Sequence, residues 1–347
     1  MSAFEELKLE LRETPRRWLV TGAAGFIGSN LLETLLRLGQ PVLALDNLAT
    51  GHRHNLDDVR SLVGEDAWAR CEFIEGDIRD QEACRDVLSH GVDIVLHQAA
   101  LGSVPRSIAD PVSTHECNVS GFVNMLTAAK DAGIKRFVYA SSSSVYGDDP
   151  NLPKVEERTG NPLSPYAASK AMNETYAAVF GRTYGIQTIG LRYFNVFGRR
   201  QDPEGAYAAV MPKWFASLIR DEEVFINGDG ETSRDFCYID NVVQANLLAG
   251  VAKMESDDSR AYNVACGERT TLNELFSLIR DRVAVELPEA ATREVVYRDF
   301  RPGDVRHSLA DTRAIVNDLG YAPSHSVGEG LAETSSWYVE KMKSTMQ

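Results

Sequence analysis

The stretch that decides the fold is RRWLVTGAAGFIGSNLLETLLRLG, residues 16–39. It opens with the short apolar run WLVT and passes through a glycine-rich turn. It then enters a segment whose apolar residues recur at helical spacing, namely Ile27, Leu31, Leu35 and Leu38. This pattern predicts a β-strand, a tight turn and an amphipathic helix in that order. The run PVLALDN, residues 41–47, predicts a second strand that ends at Asp46.

The turn contains three glycines, Gly22, Gly25 and Gly28. They permit a tight turn, close approach of a pyrophosphate to the backbone and close packing of the helix on the sheet, while the helix N-terminus offers free N–H groups. The spacing is G-x-x-G-x-x-G rather than G-x-G-x-x-G. Asp46 lies 18 residues after Gly28, where a carboxylate can accept hydrogen bonds from an adenosine ribose and would repel a 2′-phosphate. The sequence therefore predicts a site for NAD rather than NADP; the alternative is a glycine turn without a ligand.

Strands and helices continue to alternate downstream. CEFIEGDI predicts a strand ending at Asp77, VDIVLHQAA one ending near Ala100, and KRFVYASSSSVYG one ending at the serines 141–144. A helical segment between each pair implies parallel strands with right-handed crossovers, so we expect a Rossmann-type, doubly wound parallel sheet of the α/β class. Ligands bind beyond the carboxyl ends of such strands. After about Gly198 the pattern is less regular, which predicts a smaller α/β substrate lobe.

Composition narrows the class of protein. With 347 residues, 44% of them hydrophobic, the chain can bury a large core. A net charge of -14 argues against a nucleic-acid partner. Five cysteines without a C-x-x-C pair fit reduced thiols better than disulfides or a zinc site, so we expect no metal. The opening MSAFEELKLELRE is charged throughout and no apolar run approaches about 18 residues, which predicts a cytoplasmic protein with no membrane partner. In that opening, Phe4, Leu7 and Leu11 share one helical face and predict a short packed helix.

The segment SPYAASK, residues 164–170, places Tyr166 and Lys170 four residues apart. Such a pair is either one turn of an ordinary helix surface or an acid/base group, and spacing alone does not decide. The serine run precedes Tyr166 by about twenty residues and ends a predicted strand. From these residues alone, both interpretations stay open.

Six segments together closely resemble the extended short-chain dehydrogenase/reductase family, from about Arg17 onward: TGAAGFIGS, SSSSVYG, SPYAASK, LRYFNVFG, GDGETSRDF and RPGDVRHS. Within it the chain looks like UDP-hexose 4-epimerases, especially the bacterial UDP-N-acetylglucosamine and N-acetylglucosaminuronate 4-epimerases of surface-polysaccharide synthesis. The resemblance implies a UDP-sugar substrate, a tightly held NAD and a homodimer. It also suggests an N-terminal helix at 1–16, an NAD-binding domain at 17–197 and 235–255, and a nucleotide-sugar lobe at 198–234 and 256–347.

The resemblance assigns the chemistry to Ser142, Tyr166 and Lys170. Tyr166 would take the proton of the sugar 4-hydroxyl as hydride leaves C4, and Ser142 would donate or relay a hydrogen bond at the same oxygen. A free tyrosine has a pKa near 10, so a nearby positive charge, from Lys170 or the nicotinamide, is needed to favour the phenolate. Related 4,6-dehydratases carry Asp and Glu where this chain has Ser143 and Ser144, which favours epimerisation.

By the same resemblance we expect the cofactor to contact Gly22, Gly25, Phe26, Ile27, Gly28, Asp46, Asn47, Thr50, Gly51, Asp77, Ile78, Gln98, Ala99, Ala100, Asn118, Tyr166, Lys170 and Tyr193. We expect the substrate to contact Gly102, Ser103, Ser142, Ser143, Ser144, Tyr166, Asn195, Ala209, Val210, Lys213, Trp214, Phe225, Ile226, Asn227, Arg234, Arg301, Asp304 and Ser308.

Several of these residues carry a specific expectation. Arg234 and Arg301 look like the arginines that hold the diphosphate, and Asp304 like the carboxylate on the uridine ribose. Gly102 stands where galactose epimerases have a lysine, so one contact to the nicotinamide ribose is in doubt. Ser308 falls where hexose-restricted epimerases carry a tyrosine, and its small side chain would leave space for an N-acetyl group.

Other interpretations of the sequence stay open. His97 has no second ligand at metal spacing and is interpreted as structural. The enzyme could be an epimerase or dehydratase acting on a different nucleotide sugar. It could also be a non-catalytic NAD-binding regulator, although such a protein would be expected to lack one of Ser142, Tyr166 and Lys170.

Overall fold

The computed structural model describes residues 1–204, 208–254, 259–300 and 305–346. Its strands are β1 Trp18–Thr21, β2 Val42–Asp46, β3 Cys71–Glu75, β4 Ile94–His97, β5 Arg136–Ser142, β6 Gln187–Tyr193, β7 Val196–Phe197, β8 Val224–Asn227, β9 Ser233–Arg234, β10 Cys237–Tyr238, β11 Ser259–Val264, β12 Thr270–Thr271 and β13 Val295–Arg298. Its α-helices are α1 Ala3–Glu13, α2 Phe26–Arg37, α3 Arg53–Val63, α4 Glu65–Trp68, α5 Gln81–Ser89, α6 Val104–Ala109, α7 Pro111–His115, α8 Gly121–Asp131, α9 Pro165–Tyr184, α10 Val210–Ile219, α11 Ile239–Val251, α12 Leu272–Glu286, α13 Arg313–Leu319 and α14 Val327–Met346. A π-helical turn spans Glu116–Ser120, and 3-10 helices span Ser143–Tyr146 and Pro288–Thr292.

Seven parallel strands form the central sheet in the order β11-β6-β5-β4-β1-β2-β3. The order reverses at β1, which lies between β2 and β4, so the carboxyl ends of β1 and β4 open a crevice at the switch point. The predicted Rossmann-type, doubly wound sheet is confirmed.

Side chains alternate between two cores, one on each face of the sheet. Trp18 and Val20 of β1 pack in one core with α2 and α11, while Leu19 packs in the other with α8. This alternation follows from the two-residue period of a strand, and it explains why the strands read as continuous apolar runs. The predicted N-terminal helix is also confirmed, since Leu7 and Leu11 of α1 are buried and Phe4 packs against the same core.

The sheet differs from the sequence-based expectation at three points. Strand β11 pairs with β6 at the edge of the sheet, although residues after 255 were assigned to the other lobe. Strand β3 ends at Glu75 rather than Asp77, because the Asp77 carboxylate accepts the Arg79 N–H and turns the chain. Strand β4 ends at His97 rather than near Ala100. Two residues further on, the backbone N–H of Ala99 donates to the Thr21 hydroxyl instead of to a backbone carbonyl of a neighbouring strand.

The remaining elements lie outside the sheet. Strand β8 pairs in parallel with β13, β9 pairs with β12, and β7 pairs with β10. Helices α10, α12 and α14 pack on one another, while α11 returns to the sheet and contacts β4, β5 and β6. Within the part of the chain that the structure describes, no helix combines the length and apolar character needed to cross a membrane.

Candidate active site

The glycine turn between β1 and α2 is built for close approach of a ligand to the backbone. Gly22 has a φ of 69°, a left-handed conformation that favours glycine. A Cβ on Gly28 would overlap the Gly22 carbonyl oxygen, so only glycine allows α2 to approach the turn. Helix α2 begins at Phe26 after Gly25, which supplies no side chain to cap it. Its first N–H groups are therefore free to bind an anion.

Asp46 lies at the end of β2, beside this turn, and is only 7% exposed. Its Oδ2 accepts the Ala24 N–H at 2.9 Å and its Oδ1 accepts the Leu48 N–H at 2.8 Å. A carboxylate has about four acceptor positions, so these two bonds fix its orientation and leave positions for ribose hydroxyls. The orientation fits the predicted role in selecting NAD.

A cleft of about 330 Å³ joins these elements. Thirteen of the predicted cofactor residues line it: Gly22, Gly25, Phe26, Ile27, Gly28, Asp46, Asn47, Thr50, Gly51, Ile78, Gln98, Ala99 and Ala100. The predicted substrate residue Gly102 lines it as well, together with five residues that the sequence reasoning missed: Leu45, Ala49, Gly76, Leu101 and Cys117. All five adjoin predicted cofactor residues in the chain, Cys117 by preceding Asn118. The cradle at Gly28 and the orientation of Asp46 fit a dinucleotide.

Five predicted cofactor residues do not line this cleft, and the side chains of all five are hydrogen-bonded to other protein groups. Asn118 accepts the Leu101 N–H at 2.7 Å and also donates to the Leu101 carbonyl, so it holds the loop that lines the cleft. Asp77 accepts bonds from Asn47 and Arg79, which hold its pKa down at about 2. The Tyr193 hydroxyl donates to Gln98 at 3.0 Å. The other two are Tyr166 and Lys170.

Tyr166 and Lys170 lie near the start of α9. Ser164 caps the helix through its hydroxyl, which accepts the Ala167 N–H, and Pro165 occupies the first helical position, where its missing N–H costs nothing. The Lys170 Nζ donates to the Ala140 carbonyl of β5 at 2.8 Å and lies 5.9 Å from the centre of the Tyr166 ring. The two residues are therefore directed toward the carboxyl end of β5.

The pKa values of Tyr166 and Lys170 are shifted by burial, and that of Tyr166 also by Ser142, the last residue of β5. Burial raises the pKa of Tyr166, while a hydrogen bond with the Ser142 side chain lowers it. Burial lowers the pKa of Lys170 to about 8. At neutral pH the lysine is still mostly charged, so its field favours the Tyr166 phenolate. Ser142, Tyr166 and Lys170 are thus brought together at the carboxyl end of β5, and their role as an acid/base group stays a prediction.

The other two residues of the predicted serine set follow in the 3-10 helix. Ser143 begins this helix, and the Ser142 hydroxyl caps it by accepting the Ser144 N–H at 3.2 Å. The Ser144 hydroxyl oxygen is buried and has no hydrogen-bond partner among the described residues. Ser103 caps α6 by accepting the Arg106 N–H.

Part of the predicted substrate set lies on neighbouring segments beyond the sheet. The Ser308 N–H donates to the Ser233 carbonyl at 3.0 Å, next to Arg234, whose guanidinium donates to the Ser233 and Arg306 carbonyls. The Asn195 amide donates to the Asp235 carbonyl at 2.9 Å. Arg301 and Asp304 lie outside the described residues.

The last group of predicted substrate residues surrounds α10 and β8. Trp214 and Ile226 are core residues, and the Trp214 indole N–H donates to the Phe225 carbonyl. Phe225 is half-buried, with the Arg298 guanidinium 3.2 Å from its ring centre. Lys213 is exposed, while Ala209 precedes Val210 at the start of α10 and Asn227 ends β8. Ligand contacts by this group stay a prediction.

Two other places in the structure hold side chains of the kinds that bind metal ions, namely His97 and the group of Asp240, His325 and Glu333. His97 is buried, its pKa is lowered to about 3 by burial, and its Nδ1 pairs with Thr21 Oγ1 at 2.9 Å. Asp240, His325 and Glu333 hold ligand-type atoms within 4.8 Å of one another. His325 pairs with Glu333, which also accepts the Tyr238 hydroxyl, whereas Asp240 forms an ion pair with Arg199 at 3.5 Å.

This fold and its dinucleotide cleft define an NAD-binding α/β enzyme. Comparison with known proteins agrees: residues 18–265 match the model of the NAD dependent epimerase/dehydratase family. A UDP-glucose 4-epimerase of Mycolicibacterium smegmatis is 35% identical over 326 residues, covering 94% of this chain and 99% of the relative.

Two solved structures extend the comparison. A UDP-N-acetylglucosamine 4-epimerase of Methanobrevibacter ruminantium, in complex with UDP-N-acetylmuramic acid, is 37% identical with a TM-score of 0.85, covering 94% of this chain and 99% of that one. A UDP-glucose 4-epimerase of Thermus thermophilus, in complex with NAD, is 35% identical with a TM-score of 0.80, covering 93% and 98%. The chain belongs to the NAD-dependent nucleotide-sugar epimerase family of extended short-chain dehydrogenases/reductases.

Proposed function

We propose that this epimerase interconverts the C4 epimers of UDP-N-acetylhexosamines, UDP-GlcNAc and UDP-GalNAc, or of their uronic acids. The observation that carries the proposal is the joint placement of Ser142, Tyr166 and Lys170 at the carboxyl end of β5. NAD, when bound, accepts hydride from sugar C4 and returns it.

The protein's own residues handle the proton. Tyr166, as the phenolate, takes the proton of the 4-hydroxyl, and Ser142 donates or relays a hydrogen bond at the same oxygen. Lys170 stabilises the phenolate by its charge. The resulting 4-keto sugar turns over in the pocket, and Tyr166 returns the proton as the opposite face of C4 is reduced. Ser143 and Ser144 provide no carboxylic acid to protonate a leaving hydroxyl, which supports epimerisation over dehydration.

The N-acetyl preference rests on Ser308. This half-buried serine pairs through its backbone with Ser233, beside Arg234, the proposed diphosphate ligand. A serine occupies much less volume than the tyrosine of hexose-restricted relatives, so a serine at this position would leave room beside the sugar for an acetamido group. UDP-glucose is the second candidate substrate, since the M. smegmatis relative carries that name.

The proposal is tested with purified protein and no added cofactor. UDP-GlcNAc, UDP-GlcNAcA and UDP-glucose are supplied separately, and the products are identified by chromatography and NMR. We expect inversion at C4 and the highest kcat/KM for an N-acetyl substrate. Ser308→Tyr should lower activity on UDP-GlcNAc much more than on UDP-glucose. Equal losses on both substrates, or none, would show that Ser308 does not select the sugar.

We further propose that the enzyme is a cytoplasmic homodimer serving surface-polysaccharide synthesis. Met172, Tyr176 and Val179 form an exposed apolar face of α9, and Val112 of the adjoining α7 is exposed beside it. Such a face supports pairing of these helices between two copies. Light scattering should give twice the chain mass, and Tyr176→Glu should shift it toward the monomer. A monomeric wild-type protein would contradict this assembly.

A further inference from the structure

The carboxylate of Glu174 lies on the same face of α9 as the catalytic pair. Tyr166, Lys170 and Glu174 follow one another at intervals of four residues, which places them one above the other on a helix. The Glu174 Oε1 accepts a hydrogen bond of 2.6 Å from the Ser141 hydroxyl. Ser141 is only 2% exposed and directly precedes Ser142.

A second contact fixes the Glu174 carboxylate. Arg192 of β6 binds it through two parallel bonds, Nε to Oε1 at 2.9 Å and Nη2 to Oε2 at 2.8 Å. The same guanidinium donates to the Tyr146 hydroxyl at 3.0 Å, and that hydroxyl donates to Asn263 at 2.6 Å. A bidentate pair within such a network has one orientation. The carboxylate is therefore a rigid acceptor for Ser141.

Three consecutive residues of β5 are thus each bonded to one face of α9. Ala140 accepts from Lys170, Ser141 donates to Glu174, and the Ser142 side chain bonds Tyr166. The first two bonds set the position of the strand end against the helix. The third is the contact used in catalysis.

We propose that Glu174 is a positioning residue, which acts through Ser141 to hold Ser142 at the Tyr166 hydroxyl. This inference rests on the proposed roles of Ser142 and Tyr166. A buried ion pair contributes little net stability compared with apolar packing, so stability alone does not account for the Glu174–Arg192 pair at this place. The hydrogen bond from Ser141 to the Glu174 carboxylate, at the end of the strand that holds Ser142, accounts for the pair.

Ser141→Ala is the sharpest test, because it removes one hydrogen bond and leaves the ion pair and both charges in place. A small displacement of a reacting group costs about a hundredfold in rate, so we expect kcat to fall at least about tenfold while KM changes less than about threefold. Because the Ser142 bond lowers the pKa of Tyr166, the rise of kcat with pH should move to higher pH. Ser141→Thr restores the hydroxyl and should recover much of the rate.

Ser259→Ala is the matched control. It removes a hydroxyl that accepts a 2.7 Å hydrogen bond from Thr188, at the opposite end of β6 from Arg192 and outside the site. We expect it to leave kcat and the pH profile unchanged. A wild-type kcat and pH profile in Ser141→Ala would overturn the inference, as would a lower rate without a shift of the profile. If Tyr166→Phe retains activity, the proposed chemistry fails instead, so the two failures are distinguishable.

Discussion

Replacing Tyr166 by phenylalanine removes the proposed base and keeps the ring. Burial raises the pKa of the Tyr166 phenol, and the hydrogen bond with the Ser142 side chain lowers it. The Lys170 ammonium lies 5.9 Å from the ring centre. At an effective dielectric constant of about 20, a positive charge about 6 Å away stabilises a phenolate by about 3 kcal/mol, or about two pKa units. The charge of Lys170 therefore acts in the direction that favours the phenolate.

The expected loss follows from this arrangement. General-base catalysis contributes about 10²–10⁴-fold, which corresponds to about 3–5 kcal/mol of the activation barrier. Tyr166→Phe should therefore lower kcat at least about a hundredfold. KM should change little, because the aromatic ring and the remaining pocket are retained.

The assay compares kcat and KM of both proteins on UDP-GlcNAc and UDP-glucose, with bound NAD quantified after denaturation. Equal NAD content shows that the variant is folded and loaded. A variant with the wild-type NAD content and a kcat within about threefold of wild type would refute the assignment of Tyr166 as the base.

Three further predictions address the cofactor site and Asp235. Gly28→Ala places a methyl group against Gly22 and should destabilise the folded protein by about 1–3 kcal/mol. The amount of NAD that copurifies, measured by absorbance, should fall sharply. Gly328→Ala is the control, because a methyl group there meets open space, and it should retain the NAD. Wild-type protein should release NAD on denaturation, and release of chiefly NADP would contradict the role of Asp46. Burial raises the pKa of Asp235 to about 6. The contribution of this residue to the free energy of unfolding is therefore fully present below about pH 4 and is lost as the pH rises through 6. Relative to Asp235→Asn, wild type should lose about 3 kcal/mol of unfolding free energy between pH 4 and 7 in urea titrations; a constant difference would contradict this.

Local patterns were sufficient to predict the nucleotide half of the fold. The apolar run of β1, the glycine turn and the helical spacing of α2 are each specified by neighbouring residues, and the cleft follows from their order. The edge strand β11 was assigned wrongly to the other lobe because its pairing with β6 joins residues about seventy positions apart. Nothing in the local pattern of a strand states which sheet it enters.

The same limit applies to the site. In the sequence, Glu174 has the pattern of a solvent-exposed charge on a helix. Its bonds to Ser141 of β5 and Arg192 of β6 depend on how these strands pack against α9. The cofactor contact of Asn118 stays a prediction, and the structure adds that its amide bonds to both the N–H and the carbonyl of Leu101, a residue that the sequence pattern did not indicate. Side-chain partners of this kind depend on packing between distant segments.

In the proposed reaction, C4 of the sugar is oxidised and then reduced again while the sugar stays bound in one site. UDP-GlcNAc labelled with deuterium at C4 tests it directly, with purified protein in ordinary water and no added cofactor. We expect UDP-GalNAc that retains the deuterium at C4, seen by NMR and mass spectrometry, with no stable keto sugar. Loss of the label to solvent, or accumulation of a 4-keto-6-deoxy sugar, would contradict it.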